Sequence, residues 1–204
     1  MEFSGIFLSL RDIQSEDVKN MKNKIQLGII SLLLSILVST AWAADTSVRD
    51  PYKFFFNETW NNMPEELQNA KEQGKDGILI FFEMDECPFC HYMKMNVLNQ
   101  PKVQEYFRKH FLNFAIDIEG DVEMVDFKGK TVKQKDFAFK EFRVRATPVF
   151  AFFDLKGKLI HRHTGKTSGV EEFMWLGEYI VNGEYKKMPF TRYKKQKRNA
   201  KKNP

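Results

Sequence analysis

Residues 78–91 read Ile78-Leu79-Ile80-Phe81-Phe82-Glu83-Met84-Asp85-Glu86-Cys87-Pro88-Phe89-Cys90-His91. The opening five residues form a continuous apolar run, rich in β-branched and aromatic side chains, which predicts a strand buried on both faces. After a short acidic stretch comes C-x-x-C. From His91 to Leu98 the pattern turns helical, with Met93, Val97 and Leu98 as the inward positions. A buried strand therefore delivers the cysteines and a helix starts at them, the context in which C-x-x-C carries redox meaning. At a helix N-terminus the unpaired backbone N–H groups and the helix dipole favour an anion. A thiolate is that anion, so the pKa of Cys87 is expected below the free value of about 8.5. Cys90 lies one turn on, more buried and within bonding reach. Cys87 is thus the expected nucleophile and Cys90 the resolving thiol. Pro88 fits the first turn, where its missing N–H costs nothing.

Outward from this stretch, residues 50–75 carry a helix signal in Trp60, Met63, Leu67 and Ala70, with Pro64 marking where the regular helix can begin. Val103, Tyr106, Phe107 and Phe111 continue a helix after Pro101. Residues 112–118 alternate at period two and read as a strand. Residues 122–132 hold a turn at Lys128-Gly129-Lys130 and read as a small hairpin insert. Residues 134–142 form a short helix. Val149–Phe153 is a second apolar run, and Lys156-Gly157-Lys158 folds it onto Leu159–His163 as an antiparallel pair. Residues 170–181 close the domain as a helix with Phe173, Leu176 and Ile180 inward. The expectation is an α/β domain over residues 50–183: a central mixed sheet with helices on both faces.

The chain has 204 residues, 43% of them apolar and 29% charged, a globular composition that excludes wholesale disorder or a collagen-like chain. Two cysteines exclude a multi-disulfide scaffold and a four-cysteine metal site. The net charge of +5 is misleading. Residues 186, 187, 192, 194, 195, 197, 198, 201 and 202 are Lys or Arg, with no acid after Glu184. Residues 44–184 carry 19 basic and 23 acidic residues and are mildly acidic. The tail 185–204 is polar and cationic and is expected to be disordered. It is a candidate for weak contact with an anionic membrane surface. Nucleic acid is not expected, because Tyr193 is the only aromatic after Phe190 and base stacking has little to work with.

Residues 21–43 read as a secretory signal peptide. Lys22 and Lys24 precede the apolar run Leu27–Val38, and Ala41-Trp42-Ala43 supplies a cleavage pattern. The run falls short of the roughly 20 residues that span a bilayer; uncleaved, it would anchor the chain to the membrane. Residues 1–20 form an upstream extension with no assignable role. Export sets a compartment where disulfides persist, so the expected location is periplasmic.

Cys87-Pro88-Phe89-Cys90 after a hydrophobic strand, with Ala146-Thr147-Pro148 opening the later strand, resembles the thioredoxin-fold thiol–disulfide oxidoreductases over residues 50–183. The stretches 87–91, 117–121 and 143–148 are most similar to the SoxW-like exported thioredoxins. The resemblance implies that Thr147-Pro148 holds a cis-proline facing the redox cysteines, with Phe89 lending support. It implies disulfide-bearing client proteins and a membrane thiol carrier as electron donor. It requires no cofactor and no metal. One departure stands out: thioredoxins carry a buried Asp six residues before the first cysteine, and here that position is Phe81. Glu83, Asp85 and Glu86 are nearby acids, read as solvated loop residues. Pro-Phe between the cysteines also differs from the Gly-Pro of thioredoxin.

Cys87–His91 is also a C-x-x-C-H haem-attachment pattern, but haem explains neither the buried strand nor Thr147-Pro148. His161 and His163 fall on one side of a strand and could hold a metal; edge-strand polar residues are the preferred reading. The sequence is read as an exported reductase of disulfides. A disulfide oxidant or isomerase, or a non-catalytic thioredoxin-like binding module, is the alternative. The direction of electron flow, the client and the oligomeric state are left open.

Overall fold

A computed structural model describes residues 47–202; the upstream extension 1–20 and the signal segment 21–43 lie outside them. The apolar run becomes β1 (Gly77–Glu83), the hub of a four-stranded sheet. On one side β1 pairs in parallel with β2 (Phe111–Asp117), Gly77 opposite Phe111 and Glu83 opposite Asp117. On the other it pairs antiparallel with β5 (Val149–Phe153), Phe82 opposite Val149. β6 (Leu159–Thr164) closes the sheet, antiparallel to β5. A separate hairpin, β3 (Glu123–Val125) and β4 (Thr131–Lys133), forms the expected insert. Its turn is tied by the Asp126 carboxylate, which accepts the N–H groups of Lys128 and Lys130 at 2.8 and 2.9 Å.

Among the described residues seven α-helices accompany the sheet: α1 (Pro51–Phe54), α2 (Met63–Glu72), α3 (Pro88–Met93), α4 (Pro101–His110), α5 (Gln134–Asp136), α6 (Val170–Val181) and α7 (Phe190–Lys202). Alternation along β1 divides the core. Leu79 and Phe81 join Phe107, Phe150, Phe173 and Leu176 in one layer with the cysteines, while Ile78, Ile80 and Phe82 face Met63, Leu67, Phe137 and Ala138 in the other. Burying each Phe is worth about 2–3 kcal/mol, and the rings interlock: Phe107 on Phe173 at 4.4 Å, Phe150 on Phe173 at 4.8 Å, Phe81 on Phe150 at 4.9 Å. Gly177 lets α6 approach α4, since a Cβ there would lie 2.7 Å from the Tyr106 ring and 2.9 Å from that of Phe107.

Two expectations need correction. The helix signal over residues 50–75 resolves into α1 and α2, separated by a loop. Trp60 is 91% exposed rather than inward. The chain turns at Asn61 (φ 59°) and restarts at Asn62, the N-cap of α2, with Pro64 in its first turn. The second correction is the tail. Residues 190–202 form the helix α7 rather than a disordered segment. Its cations find acids on α6: Lys194 and Arg198 both reach Glu172 (2.7 and 3.0 Å), Lys197 reaches Glu178 (2.6 Å) and Lys201 reaches Glu171 (2.8 Å). Phe190 is buried, and Tyr193 packs 5.4 Å from Tyr179. The charge that makes the tail look disordered in isolation is partly neutralised once α6 is beside it.

Candidate functional site

β1 ends at Glu83, and three residues carry the chain to Cys87, which takes an extended conformation (φ −116°, ψ 99°) and caps α3. The Cys87 sulfur accepts the Cys90 N–H at 3.0 Å, satisfying one of the donors that a helix start leaves open. Pro88 occupies the first turn, where no N–H is needed. Beyond Met93 the helix continues as a π-helical turn through Leu98. Cys87 and Cys90 are joined as a disulfide. Cys87 is 5% exposed and Cys90 1% exposed, so the first sulfur lies nearer the surface. A shallow depression lined by Asp85, Glu86, Cys87, Pro88 and His91 opens beside it, and Phe89, between the cysteines in sequence, is 53% exposed.

Pro148 is buried and opens β5. The register sets its neighbour Val149 opposite Phe82, which places Pro148 at the end of the sheet where β1 delivers the cysteines. The Thr147–Pro148 peptide bond is cis. The Thr147 Oγ1 is buried with no hydrogen-bond partner among the described residues. The loop between β6 and α6 ties these parts together. The Gly165 N–H donates to the Pro148 carbonyl at 2.8 Å, the Thr167 hydroxyl approaches the Met93 sulfur at 3.7 Å, and the Lys166 ammonium sits 4.3 Å from the Tyr92 ring centroid and 5.7 Å from that of Phe89. Sequence reasoning passed over Lys166 and Thr167; their one signal was the pair of glycines, 165 and 169, bracketing a loop beside the last helix.

Phe81, where the thioredoxins proper carry an acid, is fully buried and lies against Phe56 and Phe150. Of the three nearby acids, Asp85 and Glu86 are exposed, as expected of loop residues. Glu83 is not. It belongs to β1, its side chain is 12% exposed, and its carboxylate takes an ion pair from Lys94 at 2.5 Å. Lys94 also donates to the Tyr52 hydroxyl at 2.7 Å. Burial alone would lower the Lys94 pKa, but the hydrogen bonds to Glu83 and Tyr52 outweigh it and hold the ammonium above its ordinary value.

His161 and His163 fall on one side of β6, but they are not simple edge-strand polar residues. His161 packs 5.1 Å from the Tyr179 ring and His163 5.6 Å from Phe190, and both Nε2 atoms are buried without a partner among the described residues. Burial, with a smaller contribution from His163, pushes His161 down to about 4. Among the described residues no group of three or more His, Cys, Asp and Glu side chains is placed to hold a metal. None of their helices is long and apolar enough to cross a membrane.

Solved structures resemble this one in fold. A thioredoxin-fold protein from Helicobacter pylori superposes with a TM-score of 0.54 at 22% identity, over 62% of this chain and 87% of that one. A thioredoxin from Thermus thermophilus gives a TM-score of 0.49 at 21% identity, over 63% of this chain and 88% of that one. A DsbH oxidoreductase gives 0.48 at 18% identity, over 76% and 99%. No curated protein matches the chain. The family model described as thioredoxin-like domain matches residues 63–180, from the first residue of α2 almost to the end of α6. The chain belongs to the thioredoxin-like domain family.

Proposed function

We propose that this protein is an exported thiol–disulfide oxidoreductase that reduces disulfides through Cys87 and Cys90, of the SoxW-like type. One observation carries the reading: the Cys87 sulfur caps a helix and accepts the Cys90 N–H, with Cys90 more deeply buried one turn behind. That environment favours a thiolate at Cys87 and keeps Cys90 from competing for substrate. In the reduced protein the Cys87 thiolate attacks one sulfur of a client disulfide. A Cys87–client bond forms, the client S–S bond breaks, and the second client sulfur leaves as thiolate. Cys90, deprotonated, then attacks the Cys87 sulfur and expels the first client sulfur. Two electrons have passed to the client, and Cys87–Cys90 is left as the disulfide seen here. Return to the dithiol requires an external thiol donor, and for an exported protein that donor is a membrane thiol carrier. Phe89 supplies exposed surface between the cysteines, and Thr147 and the buried Pro148 support the site. The export part of the reading rests on the signal-like segment 21–43.

The test is reduction of a model protein disulfide by the dithiol protein, together with its reduction potential. Cys90→Ala should accumulate mixed disulfides and Cys87→Ala should form none. A potential near −270 mV, roughly that of thioredoxin, supports a reductase; one near about −120 mV makes it an oxidant. Absence of any exchange leaves the non-catalytic binding module.

A further inference from the structure

The helix α7 lies outside the span matched by the family model, which ends at Ile180. The two sides of this helix are unlike. The inner side meets α6 through Phe190 and Tyr193, and four of its cations, Lys194, Lys197, Arg198 and Lys201, are consumed by Glu171, Glu172 and Glu178. At 100° per residue, Arg192, Lys195 and Asn199 follow one another along the opposite side, and Lys202 lies at its edge, where it also lines a cavity with Arg198, Glu171 and Glu172. Arg192, Lys195 and Lys202 are cations with no acidic partner among the described residues, and Arg192, Lys195, Asn199 and Lys202 are all exposed. The helix itself contains no Asp or Glu. Its outer side and edge therefore carry three cations without an ion-pair partner among the described residues, on a protein whose body is acidic.

We infer that the outer face of α7 docks the domain onto an anionic lipid surface through Arg192, Lys195 and Lys202. Three observations favour a bilayer over other polyanions. The cations are spaced from Arg192 to Lys202 along one thirteen-residue helix, so a planar sheet of headgroups can meet them together. The outer face offers no aromatic ring on which a nucleic-acid base could stack; both rings of the helix, Phe190 and Tyr193, are turned toward α6. The same chain carries the signal-like segment Leu27–Val38 behind Lys22 and Lys24, which on the export reading proposed above brings it to a membrane. The outer face has no apolar residue to insert, so attraction is electrostatic and peripheral. α7 runs antiparallel to α6, its C-terminal Arg198 and Lys201 beside Glu172 and Glu171 at the start of α6. That start follows the Gly165–Gly169 loop bound to Pro148 and Met93. Docking by α7 would therefore bring the cysteine end of the domain close to the bilayer.

Each basic residue near an anionic surface contributes a factor of about five in partitioning, and three contribute about 100-fold. The test measures co-sedimentation of the full chain with vesicles of phosphatidylglycerol and phosphatidylcholine in equal parts, and with vesicles of phosphatidylcholine alone. The neutral vesicles report any binding through residues 27–38, so the difference between the two isolates the charge-dependent part. R192Q/K195Q/K202Q should lose nearly all of that difference. K71Q/K109Q/K156Q removes the same charge from exposed positions elsewhere and should retain it. Salt at about 0.5 M, where the screening length falls to a few ångströms, should abolish it. The inference is overturned if the α7 triple variant partitions like the parent, if both triple variants lose equally, or if α7-dependent binding is found for a nucleic acid or an acidic protein and not for the vesicles.

Discussion

Two histidines beneath α7 make the stability of this domain depend on pH in a direction the structure fixes. His161 lies among Phe152, Tyr179 and Phe190, with its Nε2 buried and unpartnered among the described residues. His163 lies against Phe190, and the charges that act on it are Lys194 on α7, which disfavours protonation, and Glu172 on α6, which favours it. For both rings burial is the main cause of a lowered pKa; His161 falls from 6.5 to about 4. The unfolded chain therefore takes up a proton at His161 as pH drops below 6.5, while the folded chain resists until about 4. Above 6.5 both states are neutral and the group contributes nothing. Between 6.5 and 4 the folded state loses ground continuously. One pKa unit is about 1.4 kcal/mol, so the gap at full desolvation amounts to roughly 3 kcal/mol; the ring is partly exposed, which brings it to about 2 kcal/mol. His163 adds in the same direction. Glu172 also titrates below its ordinary range: burial would raise it, but Lys194, Ser168 and Arg198 outweigh burial, so acid costs its ion pairs as well. Leucine at position 161 separates these effects, since it fits among rings and leaves the carboxylates intact. Urea unfolding at pH 7 and pH 4.5 should show the parent losing about 2 kcal/mol more than His161→Leu, with little difference between them at pH 7. Identical losses for the two proteins would refute the argument.

Other expectations follow from the same contacts. Phe173→Ala, which empties a site stacked between Phe107 and Phe150, should cost about 3–5 kcal/mol in urea unfolding. The Cys87 thiolate, followed by ultraviolet absorbance in the reduced protein, should titrate well below about 8.5; a midpoint at or above that value would remove the activation argument. Lys94→Met should cost about 1–3 kcal/mol by stripping the Glu83 carboxylate of its cation in a half-closed setting, and additional Glu83→Gln should recover part of that loss.

The parts of the fold that sequence makes visible are those where local pattern and tertiary role coincide. Ile78–Phe82 is apolar on both faces because β1 has a neighbour on each edge and a helical layer on each side. The Lys156-Gly157-Lys158 turn is legible because Gly157 sits at φ 74°, where other residues are strained. What sequence conceals depends on distant partners. α7 reads as a solvated tail until Glu171, Glu172 and Glu178 are set beside it by the fold. The burial of His161 and His163 depends in turn on α7, so period-two parity finds their common side but not the rings that cover them. Trp60 fits a helical spacing and lies outside the helix, because the left-handed turn at Asn61 is not encoded in hydrophobic period. At the site, Cys87, Pro88 and Cys90 are adjacent in sequence and were found there. Lys166 and Thr167 reach the redox helix from the far end of the chain and were not.

The order of the strands has a consequence for the growing polypeptide. β1 gains its parallel neighbour once Asp117 has been made, but its other edge stays open until Val149–Phe153 arrives. Throughout that interval Ile78-Leu79-Ile80-Phe81-Phe82 is a five-residue uncharged segment of high β-propensity with a free edge, the composition that nucleates intermolecular cross-β pairing. The long-range closure of β1 on β5 is also the step that loop entropy makes slow. The nascent chain is therefore most vulnerable to aggregation just before its last quarter appears, and a holdase that masks residues 78–82 during that window should raise the yield of folded protein more than any change to the finished surface.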